Sequence, residues 1–254
     1  MTEFADSNPA AYVTGDPAPG RPAHRRSGGP PLGPLAIVTF ALTIAAVIVL
    51  IAGTGSVPDP FAGAAEVAEW YAAHPAAVRV GAMLQFGAAV PLGILAASVY
   101  ARQLRLGVRV PGPVIGLYGG IAASVALLVS ALVTWSLGFP GADAVPESTA
   151  TLARLAFGLG GVGYATGLGL LIAGIAVPAL ILRFVPRWLA VLGLVLGGLG
   201  ELSFLSLALE PLQALLPVVR FGGGAWLIAI AFLLPAVRAK RGPNDPAGAH
   251  ATTR

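Results

Sequence analysis

The sequence predicts an all-α protein, a polytopic transmembrane helical bundle of six spans, and three observations lead there. Of 254 residues, 56% are apolar and 10% charged, with a mean hydropathy of +0.83. The apolar residues come in long blocks, and a helix needs about 20 of them to cross the hydrocarbon layer. Short polar turns join the blocks and leave no room for a separate soluble domain. The basic residues sit at block ends and fall mostly on one side. Arg21, Arg25, Arg26, Arg102, Arg105, Arg109, Arg183, Arg187, Arg238, Lys240 and Arg241 stand against only Arg79 and Arg154. The side rich in Lys and Arg is cytoplasmic, so both termini are expected there, and two termini on one side require an even number of spans.

The formal charge of +4 is therefore a topology signal, and a nucleic-acid partner is not expected. The lipid bilayer is the expected surrounding. No cysteine is present, which removes disulfides, thiolate catalysis and Cys-ligated metals. Arginine in place of lysine, with abundant Ala and Gly, points to a bacterial chain and hence to a bacterial plasma membrane.

Residues 1–33 carry Pro9, Pro17, Pro19, Pro22, Pro30 and Pro31 with few large apolar side chains, and are expected to be a disordered cytoplasmic tail. The first span, about 35–52, lacks a small-x-small cleavage site and is read as retained. In the long loop that follows, Asp59 is expected to cap a short helix opened by Pro60. That helix has Glu66 and Glu69 on one side and Phe61, Ala64, Ala68 and Tyr71 on the other, and it ends at His74-Pro75. It lies either in the interface, with Trp70 and Tyr71 at headgroup depth, or over the bundle as a lid.

The second span, about 80–100, contains Gln85 and Pro91, and the third, about 113–137, contains Gly116 and Gly120. An acidic loop with Asp143 and Glu147 leads to the fourth, about 155–182, whose glycines include Gly163 and Gly167. The last two, about 188–209 and 212–237, fold back at Glu210-Pro211, and 239–254 form a short cytoplasmic tail. The four-residue spacings of Gly116 to Gly120, Gly163 to Gly167 and Gly193 to Gly197 mark faces where helices approach closely.

The last hairpin alone carries charge well inside the apolar spans. Glu201 lies nine residues before Glu210 and Arg220 nine after Pro211, so at 1.5 Å per residue both should sit about 14 Å from the turn. A charge near mid-membrane costs about 2.5–3.5 kcal/mol on insertion scales and usually pairs. An intramembrane ion pair or ligand site at Glu201 and Arg220 is therefore expected. Each even-numbered span also opens on Arg followed by small and apolar residues, at Arg79, Arg154 and Arg220, and each follows an acidic residue and a proline. Three related helical hairpins would explain this, placing Arg79, Gln85 and Arg154 with the pair in one outer-leaflet polar cluster.

Familiar catalytic patterns are missing. Gly158, Gly160 and Gly163 match the dinucleotide fingerprint in letters, but without a strand before them or an acidic residue after them. His24, His74 and His250 are scattered outside the spans, and no metal site, cofactor or catalytic residue is expected. The acidic first loop with Trp70-Tyr71, Arg79 opening the second span, and Arg-marked inner turns resemble uncharacterised six-span integral membrane proteins of bacteria, families catalogued as domains of unknown function. That resemblance implies location and helix count alone. Three functions stay open: a non-enzymatic structural or regulatory component locked by the Glu201–Arg220 pair, a small proton-coupled transporter or channel using Glu201, and an anionic-lipid-binding or lipid-modifying protein. The partner would be an anionic lipid, a second copy in a homo-oligomer, or another membrane protein.

Overall fold

The structure, a computed structural model, describes residues 30–57, 59, 61–139, 141 and 145–236. Most of both tails, Asp143, Pro60, and the basic residues Arg21, Arg25, Arg26, Arg238, Lys240 and Arg241 lie outside them. No strand occurs among the described residues. The helices are α1 (Leu32–Thr54), α2 (Ala64–Ala73), α3 (Pro75–Arg105), α4 (Gly112–Leu137), α5 (Pro146–Phe157), α6 (Tyr164–Ile181), α7 (Arg187–Leu202), the single turn α8 (Leu215–Pro217) and α9 (Gly223–Leu233). Six stretches are long and apolar enough to cross a membrane: Leu32–Thr54, Pro75–Arg105, Gly112–Leu137, Pro146–Ile181, Arg187–Leu207 and Glu210–Leu233. The chain is a multi-pass membrane protein. The first span begins inside the predicted tail, and the fourth begins nine residues early, at Pro146. At 36 residues and about 1.5 Å each, that fourth helix is roughly 54 Å long, so its first turns stand clear of the hydrocarbon.

Neighbouring spans pack in chain order, α1 on α3, α3 on α4, α4 on α6 and α6 on α7, while α9 closes against α1. The fourth span is the centre, with 67% of its apolar window buried against 22% for α1. Small residues allow this. A Cβ at Gly167 would come within 2.6 Å of the Ala123 amide nitrogen, and one at Gly119 within 2.6 Å of the Gly167 carbonyl oxygen. Gly116 lies against Gly174, Gly120 against Ala96, Gly193 against the Trp226 ring, and Gly197 within 3.1 Å of Ala173. Gly163 is looser, its nearest neighbour being Ala126 at 3.5 Å.

Pro91 and Pro178 lie inside continuous helices, so discontinuous helices at those prolines, which would favour a carrier, are not found. Proline lacks the N–H that would reach the carbonyl four residues back. For Pro178 that carbonyl is Gly174, and the Gln103 side-chain amide donates to it at 3.1 Å from a buried position on α3. The helical irregularities fall elsewhere. Gly158–Gly163 and Val218–Gly222 are wide π-helical turns, and Ser203–Leu207 and Glu210–Ala214 are tight 3-10 turns.

The short α2 lies on α5, burying Val67 among Leu137, Ala150 and Ala153 with Ala64 and Tyr71 beside it. Asp59 does not cap it. The N-cap is Gly63, and Asp59 Oδ1 instead accepts from the Phe61 amide at 2.8 Å in a local turn, as short acidic side chains do. Trp70 Nε1 donates to the Ser56 carbonyl at 2.8 Å and ties α2 to the end of α1.

Candidate functional site

Beneath α2 a cleft of about 370 Å³ enters the bundle between α1, α3, α4, α5 and the π turn that carries Arg220. Asp59, Val67 and Tyr71 stand at its α2 side, and Gln85, Ser130, Thr134, Gly160 and Arg220 supply polar groups within. Burial raises the Tyr71 phenol to about 12, so it remains a neutral hydrogen-bond donor and acceptor at physiological pH.

The π turn at Gly158–Gly163 builds the floor. In a π turn the amide partner shifts from the fourth to the fifth residue back. The Tyr164 amide accordingly donates to the carbonyls of Leu159 and Gly161 and passes over Gly160. Arg220 Nη2 donates to that Gly160 carbonyl. The Arg220 guanidinium also stacks on the buried Tyr164 ring, 4.8 Å from its centroid, a contact that stabilises a cation outside water. At the other end of the turn the Ala156 carbonyl accepts from Ser130 Oγ at 2.8 Å, and Ser130 Oγ accepts from Gln85 Nε2 at 3.2 Å. A Cβ at Gly160 would strike Ser130 Oγ and approach Gln85 Nε2 to 3.2 Å. Glycine is what lets these side chains reach the turn.

The expected Glu201–Arg220 ion pair is not among the contacts of the described residues. Arg220 has the partners above, while Glu201 Oε1 is buried at the end of α7 without a hydrogen-bond partner. Counting residues from the turn assumed two straight α-helices. The intervening 3-10 turns rise about 2.0 Å per residue, and the π turn under Arg220 changes the direction of its side chain. Equal numbers of residues therefore do not give equal depth or a shared face.

Of the expected polar cluster, Gln85 lines the cleft with Arg220, whereas Arg79 and Arg154 are not among its described lining. Arg79 stacks on Phe139 at 4.8 Å, near the end of α4. Arg154 is exposed on α5. Tyr164, Ser130 and Thr134 belong to the site but went unread in the sequence, and Gly160 was noted only for its place in a glycine spacing. Hydroxyls scattered through apolar spans carry little signal singly.

Among the described residues lining the cleft, Asp59 is the only acidic one, and its Oδ1 is engaged in its own turn. The Arg220 charge has neutral partners here. A larger hollow of about 590 Å³ lies at the opposite end of α6, bounded by Arg183 and Arg187. Both arginines are exposed, and the convergent buried donors of the α2-side cleft are lacking there. No group of three or more metal-ligating side chains occurs among the described residues. No protein-family model, curated protein or solved structure matches the chain.

Proposed function

We propose that this is a ligand-binding membrane protein that takes an anionic amphiphile into the cleft beneath α2, with Arg220 as the anchoring cation. The observation that carries it is Arg220 itself, a guanidinium at the base of a mostly apolar cleft, held by a carbonyl and an aromatic face and by no carboxylate among its described partners. One amino group is used on Gly160, and a planar fork with donors to spare suits a carboxylate or phosphate. The cleft volume lies within the range of about 300–1,000 Å³ common to small-molecule sites. Tyr71 and Gln85 add neutral groups able to orient the headgroup. A purely structural role rested on the Glu201–Arg220 pair and loses that support.

The basic bias of the inner turns favours both termini in the cytoplasm. The cleft then opens on the opposite face, where an outer-leaflet amphiphile would enter.

The test is thermal unfolding of the purified protein with dodecyl phosphate or dodecanoate against dodecanol. The anions should raise the midpoint and the neutral alcohol should not, and Arg220→Gln should abolish the difference. Equal stabilisation by the alcohol, or an anion effect that survives Arg220→Gln, would remove this proposal.

A further inference from the structure

On the outward side of the α3–α4 seam lies a groove of about 250 Å³, lined by Ala82, Met83 and Phe86 of α3 and by Ala131, Leu132 and Trp135 of α4. Its floor is small and its walls are large: Ala82 and Ala131 are buried, whereas Met83, Phe86, Leu132 and Trp135 are exposed. Both helices are spanning stretches, and an exposed apolar face on such a helix meets acyl chains. None of these residues is among the described lining of the cleft that holds Arg220.

One end of the groove carries a cation. Arg79, Met83 and Phe86 follow at i, i+4 and i+7 and so share a face of α3, with Arg79 one turn nearer the helix start at Pro75. From the α4 side, the Trp135 ring meets the Phe139 ring edge-on with centroids 4.7 Å apart, and the Arg79 guanidinium lies over Phe139 at 4.8 Å. A Cβ at Gly138 would strike Arg79 Cγ, so this glycine lets the arginine stem cross the end of α4. Arg79 forms no hydrogen bond or ion pair among the described residues, which leaves its N–H donors for a partner outside the chain.

We infer that this groove binds a phospholipid with a net negative headgroup, its phosphate on Arg79 and one acyl chain laid over Ala82 and Ala131. The inference does not rest on the Arg220 ligand. Arg79 stands near the ends of two spans, at the depth where headgroups and interfacial Trp lie, and a cation there favours an anionic lipid about fivefold. A zwitterionic headgroup offers less, because its own ammonium competes for the phosphate. The groove is open to the bilayer, so detergent displaces its lipid and the site is read in vesicles.

Quenching of Trp135 fluorescence by chain-brominated lipid tests this. The parent protein carries Trp70→Phe and Trp188→Phe, which leave Trp135 exposed and Trp226 buried. It is placed in equimolar phosphatidylglycerol and phosphatidylcholine with one or the other brominated, and the signal of the same protein with Trp135→Phe is subtracted. Brominated phosphatidylglycerol should occupy the groove about fivefold more than brominated phosphatidylcholine. Arg79→Gln should bring that ratio to about one, Arg79→Lys should restore most of it, and Arg154→Gln should leave it unchanged. Should Arg79→Gln fail to fold, Gly138→Ala takes its place, since it displaces the arginine stem with the charge retained, and should lower the ratio. Equal quenching by the two lipids in the parent, or a ratio unchanged by loss or displacement of Arg79, overturns the site. A loss in Arg154→Gln equal to that in Arg79→Gln overturns it as well, because the preference would then be one of diffuse surface charge.

Discussion

Gly160 and Gly158 are two residues apart in one π turn and should respond oppositely to the same change. A methyl at Gly160 collides with Ser130 Oγ, whereas a Cβ at Gly158 meets nothing within 4 Å. Gly160→Ala should cost about 1–3 kcal/mol as overpacking, and Gly158→Ala should be neutral or slightly stabilising, as read by thermal unfolding in detergent. Tyr71 gives a pH-dependent counterpart. Its phenol titrates near 12 in the folded protein against 10.0 ordinarily, so burial favours the neutral form. That contribution is complete below pH 10 and is lost as pH rises toward 12. Spectrophotometric titration should show a late-ionising tyrosine signal that is smaller by one residue in Tyr71→Phe. At this scale the charges of Glu201 and Arg220 were legible as exceptional residues, but their partners were not. Which way Arg220 points depends on a π turn, and a π turn inside a wholly apolar stretch leaves no mark in hydrophobic periodicity.

Among the elements, α6 shows how a proline is accommodated in a central span. Pro178 leaves the Gly174 carbonyl without its helical donor, and Gln103 of α3 supplies one. Gln103→Ala should therefore destabilise by about 1–3 kcal/mol, the cost of an unsatisfied buried carbonyl. Pro178→Ala restores the helix's own N–H, so the double variant should lose less than Gln103→Ala alone. A double-mutant cycle in thermal or denaturant unfolding checks this, and strict additivity would contradict the pairing. The number of spans was legible because length and hydropathy fix it. The ends were less so: the fourth helix starts at Pro146, with Pro at its opening position as the available cue. The Asp59 cap failed because an acidic residue near a helix start serves a local turn equally well.

For the molecule as a whole, six spans and a one-sided excess of basic residues make a topology that the cysteine-free chain is suited to test. Single substitutions Ala10→Cys and Ala65→Cys should react with an impermeant maleimide from opposite faces of the membrane, the tail from the cytoplasm and α2 from outside. Labelling of both from one side would contradict the proposed orientation. The largest departure from what the sequence conveyed concerns how its two intramembrane charges are used. With no Glu201–Arg220 contact among the described residues, the cleft has a cation in its wall, where a pair would have left a neutral lock. Native mass spectrometry of the protein released from mild detergent, wild type beside Arg220→Gln and Glu201→Gln, tests that difference most directly. An anionic adduct should be retained by wild type and Glu201→Gln and lost in Arg220→Gln. Equal retention by all three, or loss in Glu201→Gln as complete as in Arg220→Gln, would contradict an anion site built on Arg220 alone.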